Sequence, residues 1–256
     1  SSDLEPMDAQ GIAILTLASA FGIGALAILL AGLLPGGRGM TAELWALYRS
    51  EFVIVGSLLI PAALGIWAFL AAALAFLLRA QFELVRLFRA PDGHLTRPLG
   101  WGFISLAVAA CIAAAGALRA GEKGFLWIFY AYAIVEIGDA FALLTGKLFG
   151  RTRILPRLSP RKTAEGMIGG FAFGGGAGYF LALYLLELPP ADAAQLAFLV
   201  LLAGLAGDLL TSALKRAFGV KDFSPVLARH GGVLDIYDSF LLAAPATFLF
   251  RCVVAS

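Results

Sequence analysis

The chain has 256 residues and a net charge of +2, and 61 % of its residues are hydrophobic whereas only 14 % are charged. Soluble domains average about 45–50 % apolar and about 25 % charged residues, so this composition excludes an ordinary soluble globular protein. The cysteines, Cys111 and Cys252, lie far apart in apolar runs. We therefore expect neither a disulfide framework nor a cysteine zinc site.

Seven apolar stretches are long enough to cross a bilayer as helices, which takes about 20 residues. They cover residues 11–34, 52–78, 99–118, 125–144, 167–186, 194–214 and 236–254. The second is long and contains Pro61, which predicts a tilt or a kink. Because backbone groups in lipid must bond within their own segment, we predict an all-α polytopic transmembrane helical bundle of about seven spans, give or take one or two. No basic segment precedes the first stretch, so we interpret it as a retained span and not a cleaved signal peptide.

Lysine and arginine are concentrated in alternate connections, which predicts the orientation of the bundle. The connections 79–98, 145–165 and 215–234 are rich in these cations, and those at 35–51, 119–124 and 187–192 are poorer. With seven spans the rich connections share one side, so we expect a cytoplasmic N-terminus and a C-terminus outside. Residues 80–90 have apolar side chains at helical spacing with Arg86 and Arg89 between them. This pattern favours a cytoplasmic interfacial helix over a solvated loop.

We expect a single membrane domain, because no connection is long enough to form a separate soluble one. Its N-terminal helices, within 1–120, offer only hydropathy. Its C-terminal region, 121–256, carries the candidate site and the cytoplasmic loops 145–165 and 215–235. The fifth stretch begins with GMIGGFAFGGGAGY at residues 166–179. Glycine at this density favours close helix packing, and the alternative is a thin wall beside a lipid-filled groove.

Ionisable residues within apolar spans are costly to bury and by default indicate function. Here they are Glu136, Asp139, Asp208, Asp235 and Asp238, and the four aspartates are predicted to lie at a similar depth near the cytoplasmic face. Asp235 and Asp238 are three residues apart and would share a helix face, as would Asp208 and Ser212, which are four apart. Clustered carboxylates repel one another unless they are protonated or bridged by a cation, and an oxygen-only set suits Mg²⁺.

Cationic residues flank these acids in the sequence: Lys147, Arg161, Lys162, Lys215, Arg216 and Lys221. Acids that hold Mg²⁺, together with cations and the turn Gly231-Gly232, suit a nucleoside triphosphate or a lipid phosphate. A proton or Na⁺ relay in a transporter is the alternative reading of the same acids. The segment LSPRKTAEG, residues 158–166, fits a phosphate clamp and an ordinary loop with a helix cap equally well.

Several of these motifs resemble the phosphatidate cytidylyltransferases, also called CDP-diacylglycerol synthases. Residues 212–238, SALKRAFGVKDFSPVLARHGGVLDIYD, resemble the family signature S-x-x-K-R-x-x-x-x-K-D followed by H-G-G-x-x-D-R-x-D. Upstream, Gly207-Asp208-Leu209 is similar to the family's GDL, and LSPRKTAEG to its SPKKTxEG element. Asp139, followed by Gly146, Phe149 and Gly150, has the spacing of its D-x-x-A-Y-x-x-G-x-x-F-G element. The resemblance covers roughly residues 139–239.

The resemblance implies a Mg²⁺-dependent membrane enzyme that joins CTP to phosphatidic acid, giving CDP-diacylglycerol and pyrophosphate. It implies a second monovalent or divalent cation, a homodimer, no nucleic-acid partner, and a site facing the cytoplasm from a bacterial inner membrane. The implied catalytic residues are Asp208, Ser212, Lys215, Asp235 and Asp238, with Asp208, Asp235 and Asp238 as metal ligands. The implied substrate-binding residues are Asp139, Ser159, Lys162, Thr163, Arg216, Lys221, Arg229 and His230.

The chain departs from the family pattern in three places. The arginine of D-R-x-D is Ile236, the Pro-Gly before His-Gly-Gly is Ala228-Arg229, and the tyrosine of the upstream element is Leu143. Isoleucine cannot bind a phosphate as a planar guanidinium does, so the identity of the acceptor lipid is left open. The same chemistry on another lipid phosphate, a non-catalytic relative and an ion-coupled transporter are the alternatives.

Overall fold

A computed structural model describes residues 9–32, 37–89, 98–156, 158–224 and 231–254. Its helices are α1 Ala9–Gly32, α2 Gly37–Leu64, α3 Ile66–Phe88, α4 Pro98–Ala120, α5 Gly124–Phe149, α6 Ala164–Leu185, α7 Pro190–Ala217, α8 Val233–Ile236 and α9 Asp238–Val254. Among the described residues, 6 helices are long and apolar enough to cross a membrane, and they lie in α2 to α7. The predicted all-α membrane bundle is confirmed, and the predicted count of about seven spans is close.

The long stretch predicted as one span, 52–78, is divided between two helices. Pro61 stays within α2, and the chain leaves the helix at Gly65, whose φ of 128° is accessible to glycine but not to residues with a side chain. The end of α2 and the start of α3 both lie beside the end of α4. Arg119 Nε donates to the Ala62 carbonyl at 2.7 Å, and Phe69 shares a cavity with Ala115. The predicted kink is therefore a reversal, which adds a helix to the predicted order.

Because of this additional helix, α1 begins at the end of the bundle opposite to the one predicted. Ala9 and Gln10 line the same cavity as Arg119, Lys123 and Glu187, which belong to the cation-poor connections. The start of α1 thus lies at the end opposite to residues 150–156, 158–163 and 218–224. This arrangement corrects the prediction that the chain starts on the same face as the cation-rich connections. Residues 1–8 themselves lie outside the described part of the chain.

The segment predicted as a separate interfacial helix, 80–90, forms the last turns of α3 up to Phe88. Its buried residues, Ala80, Leu84 and Leu87, form a small core with Phe218, Phe223 and Leu234. The apolar periodicity is therefore helical as predicted, and the buried face of this segment packs against protein. An interfacial position for its other face stays a prediction. Position 90 lies outside the described residues.

Helix α5 lies at the centre of the bundle and packs against α1, α2, α4, α6, α7 and α9. Its first half is almost continuously buried, from Phe125 to Val135. The glycines of α6 bring that helix against α5, since a Cβ at Gly170 would lie 2.8 Å from the Gly138 carbonyl oxygen. Close packing is therefore the better account of the glycine-rich stretch, and it leaves the second half of α5 beside the candidate site.

Helices α7 and α9 approach each other most closely at Gly207, where a Cβ would collide with the backbone carbonyl of Asp238. We expect Gly207→Ala to lower the free energy of unfolding by about 1–3 kcal/mol, because helix backbone cannot yield as a flexible side chain does. Gly176→Ala is the matched control, since no atom lies within 4 Å of a Cβ there. Thermal unfolding of the detergent-solubilised variants measures both. Equal midpoints for the two variants would contradict the close contact of α7 and α9.

Candidate functional site

Three carboxylates from three helices come together where α7 crosses α9. Asp208 lies on α7, Asp238 is the first residue of α9, and Asp139 lies on α5. Asp238 interacts electrostatically with both Asp208 and Asp139, and the Ser239 hydroxyl lies 3.4 Å from Asp139 Oδ2. We call Asp139, Asp208 and Asp238 the acid cluster. The cluster brings together residues that are far apart in sequence, in agreement with the prediction that they lie at a similar depth.

Nearby donors hold two members of this cluster in place. The Thr211 hydroxyl lies 3.2 Å from Asp238 Oδ2, and the Ser239 backbone N–H donates to Asp238 Oδ1 at 2.7 Å. The Ser212 hydroxyl donates to Asp208 Oδ1 at 3.3 Å, as their spacing of four residues on α7 predicted. Ser212, predicted to be catalytic, therefore lies at the edge of the acid cluster.

Lys162 brings a cation to the cluster from the connection between α5 and α6. Its ammonium group forms an ion pair with Asp208, and both side chains are about one-quarter exposed. The connection is folded back on itself by an isolated bridge between Arg153 and Thr163. The Thr163 hydroxyl caps α6 by accepting from the Gly166 N–H at 3.1 Å. The loop-with-cap reading of LSPRKTAEG is thus correct, and the same loop also delivers a cation to the acids.

Glu165 fixes the shape of this connection from its far end. Its carboxylate accepts hydrogen bonds from the backbone N–H of Arg151 at 3.1 Å and of Thr152 at 3.2 Å, and from the Thr152 hydroxyl at 2.9 Å. These contacts close the loop between α5 and α6. Ser159, Lys162 and Thr163 then face the interior of the bundle, where they line a cavity.

The cavity has a volume of about 270 Å³ and lies between α5, α6 and α7. Its lining is polar at one end and apolar elsewhere, which suits a ligand with a charged head and an apolar body. The polar end contains the predicted substrate-binding residues Asp139, Ser159, Lys162 and Thr163, together with Arg161. The apolar part contains Met167, Phe171, Leu201 and Leu205. Four residues predicted from two separate motifs thus share one cavity.

Asp235 lies in a different set of contacts from the acid cluster. Its Oδ1 accepts from Lys215 Nζ at 2.6 Å, and its Oδ2 accepts from the backbone N–H of Phe223 at 2.7 Å and of Gly232 at 2.9 Å. Lys215 is 8 % exposed, so this ion pair is largely shielded from water. Both oxygens of Asp235 are therefore engaged with the protein.

Asp235 and Asp238 do not share a helix face, which corrects the prediction from their spacing. Helix α8 ends at Ile236, and Tyr237 separates it from α9. The Tyr237 hydroxyl donates to the Ile54 carbonyl at 2.7 Å, and this hydrogen bond anchors the break between α8 and α9 to helix α2. This interruption directs Asp235 toward Lys215 and Asp238 toward Asp208.

The donor chemistry of Asp208 and Asp238 fits Mg²⁺, which commonly takes one or two carboxylates and completes its octahedron with water and substrate phosphate. The described residues contain no group of three or more histidine, cysteine, aspartate or glutamate side chains arranged to hold a metal. The predicted trio of Asp208, Asp235 and Asp238 is thus not assembled in this arrangement. Asp235 as a metal ligand stays a prediction that its present contacts do not favour.

The remaining predicted substrate-binding residues either are exposed or lie outside the described part of the chain. Arg216 and Lys221 are exposed, and Arg216 Nη1 donates to the Val220 carbonyl at 3.2 Å. Arg229 and His230 lie outside the described residues, as does Ala228. Of the departures from the family pattern, Leu143 lines the cavity and Ile236 packs against the main hydrophobic core.

Glu83 is a residue of the site region that sequence reasoning missed. It is 1 % exposed, lies on α3, and accepts hydrogen bonds from the backbone N–H of Val233 at 2.8 Å and of Leu234 at 3.1 Å. The available signal is an acid in the apolar run FELVRLF, four residues after Arg79, with which it forms an ion pair. Its backbone partners, Val233 and Leu234, are 150 or more residues away in sequence, so spacing gives no indication of them.

Comparison with known proteins adds an independent finding. Residues 38–254 match the Cytidylyltransferase family. The phosphatidate cytidylyltransferase of Brucella abortus is 33 % identical over 207 residues, which are 79 % of this chain and 72 % of that protein. That of Aquifex aeolicus is 41 % identical over 120 residues, or 46 % of this chain and 44 % of that protein. The uncharacterized protein YnbB of Escherichia coli is 35 % identical over 166 residues, or 62 % and 55 %. The chain spans about half the length of the Aquifex and Escherichia relatives.

The buried ion pair of Lys215 and Asp235 is expected to stabilise the fold. Substitutions at this pair test its structural role separately from the role of the acid cluster. Asp235→Asn leaves a buried ammonium without its counter-charge, so we expect a loss of about 3 kcal/mol in the free energy of unfolding. Combining it with Lys215→Met removes the unpaired charge and should recover most of that loss. Denaturant titration in detergent measures both variants. A double variant less stable than Asp235→Asn alone would contradict this account.

Proposed function

The chain belongs to the cytidylyltransferase family, and from this we propose that it transfers the CMP group of CTP to the phosphate of a membrane lipid, with phosphatidic acid as the acceptor. The products would be CDP-diacylglycerol and pyrophosphate, for phospholipid biosynthesis. The observation that carries the proposal is the polar end of an otherwise apolar cavity in a multi-pass membrane protein, where Asp139 lies beside Lys162. Lys162 in turn pairs with Asp208 of the acid cluster. A phosphorylated lipid needs both the polar end and the apolar lining of this cavity, and few other ligands do.

In the proposed reaction an oxygen of the lipid phosphate attacks the α-phosphorus of CTP. The bond between the α-phosphorus and the bridging oxygen breaks, and pyrophosphate leaves with the electron pair. A phosphate monoester is already ionised near neutral pH, so no general base is required. The protein therefore contributes mainly position and charge.

The acid cluster supplies the position for a divalent cation. Asp208 and Asp238 would hold Mg²⁺, which when bound neutralises charge on the reacting phosphates. Lys162 forms an ion pair with Asp208. Its ammonium group is about one-quarter exposed and would also bind a substrate phosphate. The same ion pair thus keeps the acids compensated before substrate binds.

The two substrates would approach from different sides. The cavity between α5, α6 and α7, with its apolar lining, suits the lipid, and Ser159 and Thr163 at its polar end suit the lipid phosphate. The cations of the last turn of α7, Lys215 and Arg216, and Lys221 just after it suit the triphosphate. Because CTP is a cytosolic metabolite, we place this end of the bundle at the cytoplasmic face of a bacterial inner membrane. A homodimer stays a prediction.

Purified protein incubated with Mg²⁺, labelled CTP and phosphatidic acid is expected to form CDP-diacylglycerol. Asp208→Asn and Asp238→Asn should each lower kcat/KM by roughly 10²–10³-fold, because metal-held charge stabilisation is worth several kcal/mol. Chelation of the divalent cation should abolish product formation in the parent protein.

Glu187→Gln is the matched control, because Glu187 pairs with Lys123 at the opposite end of the bundle. It should retain full activity. Absence of a CDP-lipid with phosphatidic acid and with other phospholipid acceptors would overturn the enzyme proposal. Full activity in Asp208→Asn and Asp238→Asn would overturn the metal assignment while leaving the reaction in place.

A further inference from the structure

Glu83 is buried among apolar neighbours of the small core that α3 forms with α7 and α8. A carboxylate in such a place is destabilising unless hydrogen bonds and an opposite charge compensate it. Glu83 has both kinds of compensation. Arg79 Nε lies 3.1 Å from its Oε1, and the backbone N–H groups of Val233 and Leu234 donate to its two oxygens. Apart from Arg79, these partners of Glu83 all belong to the start of α8.

The turn before α8 is shaped to admit this carboxylate. A Cβ on Gly232 would collide with both oxygens and Cδ of Glu83. The preceding Gly231 has a φ of 74°, a left-handed conformation that favours glycine. A Gly-Gly pair in the sequence suggests backbone that wraps a phosphate. In the structure, Gly232 instead makes room for the protein's own acid.

Helix α3 also holds the chain on the other side of residues 225–230. Arg79 Nη2 donates to the Ser224 carbonyl at 2.8 Å, and Arg86 Nη1 lies 2.8 Å from the Ser224 hydroxyl. One helix therefore fixes both Ser224 and Val233. The distance between the two ends of this segment is set by α3, which contributes none of the residues of the acid cluster.

Glu83 is linked through α8 to the residues that we propose bind the nucleotide. Glu83 holds the start of α8, and α8 carries Asp235. Asp235 in turn bonds Lys215 Nζ and the Phe223 backbone N–H, which fixes the segment that follows α7. Ser159, Lys162 and Thr163, on the proposed lipid side, depend on the separate contacts of Glu165.

We propose that Glu83 is a positioning residue for the nucleotide: by holding the start of α8 it places Lys215 and the segment 219–224 for the triphosphate, without touching substrate itself. This proposal rests on the proposed function, because it concerns one substrate of that same reaction. It assigns α3 a role that neither its sequence nor its distance from the acid cluster suggests.

Glu83→Gln tests the proposal, because glutamine has the same shape but only one acceptor oxygen and no charge. Hydrogen bonds to charged groups contribute more than neutral ones, so the KM for CTP should rise roughly tenfold. The KM for phosphatidic acid should stay within about twofold. Glu187→Gln, a carboxylate removed at the opposite end of the bundle, should leave both KM values unchanged.

Gly232→Ala provides a second variant that acts on the same contact from the other side. It should also raise the KM for CTP, and the double variant with Glu83→Gln should be little worse than either alone, because both remove one interaction. Additive effects in the double variant would overturn the coupling between Glu83 and the turn. So would equal increases of both KM values in Glu83→Gln.

Hydrogen–deuterium exchange gives a readout that does not require activity. In the parent protein the amides of Val233 and Leu234 should be protected, and Glu83→Gln should speed their exchange roughly tenfold while peptides of α5 stay unchanged. Unchanged exchange at these amides would overturn the proposal. A parent protein that makes no CDP-lipid would instead overturn the proposed function, and the exchange measurement would still decide whether Glu83 holds α8.

Discussion

The structure depends on how a membrane bundle accommodates carboxylates in apolar surroundings. Removing such a group from water costs several kcal/mol unless donors or an opposite charge replace the water. Here three buried or half-buried acids find a partner on another element: Asp208 on the α5–α6 connection, Asp235 on the end of α7, and Glu83 on α8. These contacts tie the connections to the helices, so that loops with few apolar residues are still fixed.

The partners divide the acids into two kinds. Asp235 and Glu83 accept from backbone N–H groups, which cannot move away, so these acids are committed to holding the chain in shape. Asp208 is paired with the side chain of Lys162 and a serine hydroxyl, and both can rotate away. Acids with mobile partners can exchange them for a metal or a substrate cation. By this criterion, and not by burial alone, Asp208 is the member of the acid cluster whose partners can be exchanged.

Sequence reasoning predicted the parts of the site that depend on local pattern. Asp139, Asp208 and Asp238 were singled out as acids in apolar spans, and they meet. Lys162 and Ser159 were singled out in a loop motif, and they line the same cavity. The Asp208–Ser212 contact followed from helical spacing. The all-α membrane fold followed from composition, because hydropathy depends on each segment alone.

The contacts that sequence reasoning missed are those for which spacing and local pattern contain no information. A hydropathy window merges α2 and α3 because Gly65, where the chain reverses, lies within a continuous apolar run. The break at Tyr237 is set by its hydrogen bond to Ile54 on a distant helix, so a spacing of three residues was taken for a shared face. Glu83 went unnoticed because its partners are backbone groups, which every residue type offers equally.

The one-sided placement of the acids also bears on what kind of protein this is. An ion-coupled transporter needs polar groups that allow passage through the full thickness of the membrane, and ionisable residues along its path. Here Asp139 lies in the second half of α5, Asp208 in the second half of α7, and Asp238 at the start of α9. The first half of α5 is filled by buried apolar residues such as Leu126, Ile128 and Ile134. Acids confined to one half of these helices, beside a cavity with an apolar lining, fit the proposed reaction of a water-soluble phosphate compound with a lipid better than a path across the membrane.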